Sequence, residues 1–189
     1  MGIMVERKNH IIDVQPIRTL SDLDNMKWAL KRFCSERDYI LFLLGINTGL
    51  RVGDMLGLTV KELKNQKVVT IKEGKTKKPR KLYLENIYEE LNAYIKTINS
   101  PWLFPSRKGE KPITNIQAWR QFQKAAEMAE IPSVGTHTMR KTFGYWYYKK
   151  TLDIVTLQKI FNHHSPAITL KYIGITDEEI ENSLKDFLL

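Results

Sequence analysis

Along most of this chain the apolar residues recur at intervals of three and four, the spacing that lines one face of an α-helix. Leu23, Met26, Leu30 and Phe33 form the first such stripe, and Thr19 with Asp22 resembles a capping box ahead of it. A denser apolar stretch begins near Asp38 and stops at Asn47-Thr48-Gly49, where glycine suits a left-handed helix end. The period then falls to two. Residues 67–72 and 80–84 read as strands, joined by a loop that holds Gly74 and three lysines. Helical spacing returns with Ile87, Leu91, Ile95 and Ile98, for which Asn86 is the candidate cap. Pro101, Pro105 and Gly109 make residues 99–112 a loop. Thr114-x-x-Gln117 opens a further helix, with Trp119, Phe122, Ala126 and Ala129 on one face. The pattern next predicts a helix from near His137 to Lys149, then a short one capped by Asp153 that carries Ile154, Leu157 and Phe161. Ser165-Pro166 starts another, since proline suits a first helical turn. Asp177 would cap a last helix bearing Ile180, Leu184, Phe187 and Leu188. The expected class is α+β, mainly helical, with one small antiparallel sheet.

A chain of 189 residues forms most simply one domain with a real core. Its longest apolar run, residues 39–46, is too short to cross a bilayer, and the charged N-terminus has no signal-peptide core. With Cys34 the single cysteine, no internal disulfide can form, and a reducing cytoplasm is the expected location. The charge changes the picture more. Thirty Lys and Arg against 21 Asp and Glu give +9, which favours a polyanionic partner. The excess concentrates over residues 61–81, where cations alternate with Val68, Val69 and Ile71, as a folded hairpin would present them.

Two clusters carry candidate chemistry. His137 and Arg140, three positions apart on a helix, share a face, and a guanidinium fork beside an imidazole suits a phosphate oxygen. A capping histidine beside a surface arginine is the commoner meaning of that pair alone. The second cluster runs from Phe161-Asn162-His163-His164 to Tyr172. A tyrosine attacks a phosphodiester only when neighbours manage its proton, because its ordinary pKa is about 10. Most tyrosines are amphipathic core residues, and Tyr145, Tyr147 and Tyr148 read that way. The adjacent histidines have no Cys or carboxylate at metal-ligand spacing, and no phosphate-loop, dinucleotide or serine-hydrolase signature occurs. Neither metal nor nucleotide cofactor is expected.

Thr48-Gly49-Leu50-Arg51, His137-x-x-Arg140 and the segment from His163 to Tyr172 together resemble the catalytic boxes of the tyrosine recombinase (phage integrase) family. Their order matches, with 23 positions from Arg140 to His163 and 9 from His163 to Tyr172. Trp102-Leu103-Phe104-Pro105-Ser106 extends the likeness, which covers residues 19–174.

The resemblance implies a DNA breaking–rejoining catalytic fold, with Tyr172 the nucleophile and Arg51, His137, Arg140 and His163 around the phosphate. It also implies a general-acid lysine on the hairpin. Lys75 fits best, with Lys72, Lys77 and Lys78 as competitors, and these three with Arg80 are the expected DNA contacts. Asp54 would orient an arginine or histidine. Asn162 stands where the family has glycine, and asparagine is the next best residue for a left-handed stop.

The expected partner is double-stranded DNA, bound as a homotetramer on synapsed sites and as a weak assembly or monomer without DNA. Residues 1–18 are expected to be an arm, 19–176 the catalytic domain, and 177–189 a helix that packs either on its own chain or on a neighbouring protomer. The segment before Thr19 is too short for the N-terminal helical domain of typical members. A single-domain member similar to the fimbrial inversion recombinases, or a fragment, is therefore expected. A type IB topoisomerase-like nicking-closing enzyme and a non-catalytic DNA-binding regulator are the alternatives.

Overall fold

Helix caps written in the sequence set most of the architecture. The computed structural model describes residues 14–175 and Lys185. Thr19 accepts from the Asp22 amide and starts α1, Leu20–Phe33. Ser35 starts α2, Glu36–Thr48, two residues ahead of the expected Asp38; Asp38 is instead a buried acceptor for the Ser35 hydroxyl and Arg37. Two short helices follow that apolar spacing did not predict, α3 (Val52–Leu56) and α4 (Val60–Leu63). The latter starts at a complete capping box between Thr59 and Glu62. Strands β1 (Val68–Lys72) and β2 (Pro79–Tyr83) pair antiparallel, with Val69 opposite Leu82 and Ile71 opposite Arg80.

The helix expected from Asn86 starts differently. Residues Glu85–Ile87 form a 3-10 turn that runs into α5, Tyr88–Thr97, with no side-chain cap. Thr114 and Gln117 do form the reciprocal box at α6, Asn115–Met128. Its buried face, however, carries Ala118, Phe122, Ala125 and Ala126, while Trp119 is 42% exposed. Helices α7 (Thr138–Thr151), α8 (Ile154–Phe161) and α9 (Pro166–Ile173) complete the described chain. The helix expected after Asp177 lies outside the described residues.

Helix α2 is the axis of the main core. Residues 38–45 of it are all buried, so its apolar run faces neighbours on every side rather than along one stripe. It packs on α1, α5, α6 and α7. A smaller second core lies around Leu157, Phe161 and Ile173, with Phe143, Tyr147 and Tyr172 against it. Phe161 is fully buried there, and hiding a side chain of that size contributes roughly 1.5–3 kcal/mol.

Residues 14–18, which fall within the expected N-terminal arm, bond to the rest of the fold. The Ile17 amide donates to the Thr142 hydroxyl at 2.9 Å, and the Trp146 indole donates to the Ile17 carbonyl at 3.0 Å. No helix among the described residues is long and apolar enough to cross a membrane.

Candidate active site

Left-handed helix ends deliver the candidate residues. Gly49 ends α2 with φ 62, and a Cβ there would meet Phe143 at 2.4 Å, so only glycine fits. The chain then turns so that Arg51 precedes α3. Asn162 ends α8 with φ 53 and leads into His163. Asparagine thus makes the stop in glycine's place. His137 is the residue before α7, and Arg140 lies in its first turn.

Arg140 is 3% exposed and ties these ends together. Its Nη1 donates to the Gly49 carbonyl at 2.5 Å and its Nη2 to the Phe161 carbonyl at 3.0 Å. One guanidinium therefore braces the turn before Arg51 against the turn before His163. Burial is the main cause that lowers its pKa to about 10, and the Arg51 and Arg80 charges add to the fall. It stays cationic at neutral pH.

Arg51 is held by carboxylates. Its Nη1 lies 3.0 Å from Glu73 Oε2 and 3.8 Å from Asp54 Oδ2. Asp54 also accepts from the Gly74 amide at 2.8 Å, which pins the hairpin loop beside the arginine. Asp54 thus lies beside Arg51 and also takes a backbone contact that spacing did not reveal. Burial works to raise the Glu73 carboxyl. Hydrogen bonds from Thr76 and Arg80 and the charges of Arg51 and Arg80 outweigh it and hold the group below the usual range.

The expectation for Arg80 as a DNA contact is corrected. Strand side chains alternate between faces, and Arg80 shares the inward face with Leu82. Its guanidinium bonds Glu73 Oε1 at 3.0 Å and the Thr48 carbonyl, so it is an internal cation.

Tyr172 lies on α9, half-buried, with its hydroxyl 3.3 Å from His137 Nδ1. The His163 ring meets it edge-on with centroids 5.1 Å apart, and the Phe161 ring does so at 5.5 Å. Burial raises the phenol pKa, opposed by the positive charges of Arg140 and Arg51. The resting group is a neutral hydroxyl. Burial, then Arg140, Lys141, Arg51 and Lys75, lower the His137 pKa, so its ring is neutral at pH 7 and able to accept a proton. His163 is lowered by burial and by the same two arginines, and its Nδ1 lies 3.1 Å from the buried Thr169 hydroxyl.

A cavity of about 470 Å³ opens among Arg51, Asp54, Gly74, Lys75, His137 and Arg140. Lys75 lines it. Lys78 instead lines a second cavity, with Arg80 and Tyr147, and donates to the Asn162 side chain at 2.8 Å. Lys72 and Lys77 are exposed and line neither of these two cavities. Among the described residues, no cluster of three or more His, Cys, Asp or Glu could hold a metal ion.

Sequence reasoning missed Glu73 and Thr169. Glu73 stands among lysines in the hairpin loop, where no local pattern marks it as buried. Thr169 could have been found from its position four residues after the Ser165 cap, which turns it toward His163.

A mainly helical fold with a two-stranded hairpin frames a cavity lined by two arginines, a lysine and His137, with the Tyr172 hydroxyl against that histidine, a set of groups suited to a phosphodiester. The Phage integrase family model matches residues 21–179, and the chain belongs to that family. The chain is 44% identical over 176 residues to the probable integrase/recombinase YoeC of Bacillus subtilis (strain 168), covering 92% of this chain and 97% of that protein. The fold is that of the crystal structure of XerA recombinase, with TM-score 0.74 at 21% identity, covering 97% of this chain and 66% of that one. It is likewise that of XerH site-specific recombinase bound to a palindromic difH substrate in a post-cleavage complex, with TM-score 0.70 at 20% identity, covering 92% and 53%. The chain therefore spans almost all of YoeC but only 53–66% of these two structures.

Proposed function

We propose that this chain, a site-specific recombinase of the integrase family, cleaves and rejoins double-stranded DNA through Tyr172. The observation that carries the reading is the Tyr172 hydroxyl 3.3 Å from a neutral His137, beside the cavity that Arg51, Lys75 and Arg140 line. The Tyr172 oxygen attacks the scissile phosphorus while its proton passes to His137, and the phosphorus–5′-oxygen bond breaks. Lys75 gives the leaving oxygen its proton, so a 3′-phosphotyrosine and a 5′-hydroxyl result.

The transition state gathers charge on the non-bridging oxygens, where Arg51 and Arg140 stabilise it more than the ground state. His163, seated by Thr169, donates to the same phosphate. Attack by a second strand's 5′-hydroxyl reverses the step and reseals DNA. The phosphotyrosine conserves the bond energy, so no nucleotide is consumed. Exchange between two duplexes cuts four strands and needs one tyrosine for each, which calls for four protomers on paired sites. Lys72 and Lys77 would contact flanking phosphates.

The test is a nicked suicide duplex carrying DNA that flanks the protein's own locus. Wild-type protein should form a covalent adduct and Tyr172→Phe none, since the phenol oxygen is the only group removed. An adduct that persists in Tyr172→Phe would assign the nucleophile elsewhere.

A further inference from the structure

We propose that Arg18, from the N-terminal end of the described chain, is a positioning residue that moors the far end of the nucleophile helix. This rests on the reading of Tyr172 as nucleophile. Helix α9 is eight residues long, and Tyr172 is its next-to-last residue. A helix of that length has little stability of its own and depends on what holds its ends.

Its first turn is well tied. Ser165 caps it, and Thr169 bonds both the Ser165 carbonyl and His163. Its last turn rests on a small core of Leu157, Phe161 and Ile173. There Gly174 ends the helix with φ 77, and Arg18 Nη2 donates to the Gly174 carbonyl at 2.7 Å. The cation also sits at the negative end of the α9 dipole, where a positive charge is favourable.

The approach is built, not incidental. A Cβ at residue 174 would lie 2.7 Å from Arg18 Nη2 and 3.4 Å from Gln15 Oε1, so the glycine makes room for the strap as well as the turn. The strap that carries Arg18 is anchored in turn. The Gln15 amide donates to the Ser133 carbonyl at 3.0 Å, and Ile17 is fixed on Thr142 and Trp146. The Arg18 guanidinium lies over the Tyr145 ring at 5.4 Å, on the same helix α7 whose start bears His137. Arg18 therefore references the position of Tyr172 to the helix that holds its proton acceptor. Losing it frees the last turn of α9 while the residues that line the phosphate cavity stay in place.

The experiment uses the full chain with Arg18→Met, which keeps length and removes the charge and donor, and Arg18→Lys, which restores the charge. Hydrogen exchange at residues 170–175 should rise about tenfold in Arg18→Met, with exchange in α2 unchanged. On the suicide duplex the adduct-forming rate at saturating DNA should fall about tenfold, with half-saturating DNA within about twofold of wild type. Arg18→Lys should recover part of both.

Unchanged exchange at 170–175, or an equal rise throughout the fold, would overturn the inference, as would an unaltered cleavage rate beside a working Tyr172→Phe control. Should Tyr172→Phe still form the adduct, the nucleophile assignment fails instead. The exchange measurement then still decides whether Arg18 moors α9.

Discussion

At the scale of single residues, the chemistry depends on charge states set by burial. The folded His137 has a lower pKa than in the unfolded chain, so the fold disfavours its protonation. Two consequences share one sign. The unfolded chain binds more protons just below pH 6.5, so His137 makes a stability contribution that is present above that pH and lost as pH falls. The proposed proton acceptor for Tyr172 is lost over the same range, from below about pH 6.5. Adduct formation at saturating DNA should therefore decline on the acid side with a midpoint below about 6.5. His137→Gln should give a slower profile without that limb. An acid limb that persists unchanged in His137→Gln would remove His137 from proton transfer.

The residues proposed to bear this chemistry stood out because arginine, histidine and tyrosine at those spacings have few other joint uses. Glu73 was not, since nothing local separates a buried carboxylate from an exposed one amid lysines. Arg80 could have been placed by strand parity, which sets it beside Leu82 and not among the outward cations.

At the scale of elements, caps proved more readable than faces. Thr19, Thr114, Asp153 and Ser165 each bond the backbone of the first turn where their side-chain chemistry predicts. Asn86 failed because a 3-10 turn absorbs it. The helices α3 and α4 escaped notice because one or two turns are too short to show an apolar period. Helical spacing set Trp119 on one face with Phe122, whereas the buried face turns toward Ala118 and Ala125, whose small side chains let α6 pack closely.

Close packing governs α9 as well. A Cβ on Gly144 would lie 2.6 Å from Ile173 and 2.7 Å from Phe161, between α7 and the pair α8–α9. Gly144→Ala should therefore cost about 1–3 kcal/mol through overpacking. Thermal or urea unfolding would measure that loss. It should also slow cleavage, because the displaced partner is the helix of Tyr172. Stability and rate both equal to wild type would show that this contact has slack.

At the scale of the molecule, charge and connection matter together. The net +9 makes phosphate contact the expected source of affinity. Lys72 and Lys77 are exposed, while Lys78 is engaged by Asn162. Titrations over a range of salt concentrations should give a steep dependence of affinity. Lys72→Ala and Lys77→Ala should each flatten the logarithmic slope by about 1, without changing preference among sequences. An unaltered slope would place the phosphate contacts on other cations.

Arg140 shows how such a site can last. Its guanidinium donates to the carbonyl oxygens of Gly49 and Phe161, which belong to the main chain. Every amino acid supplies a carbonyl, so substitution at those positions can alter the turns but cannot delete the acceptors. The seat of this arginine is inherited with the path of the backbone, and lineages can diverge widely in side chains while keeping it.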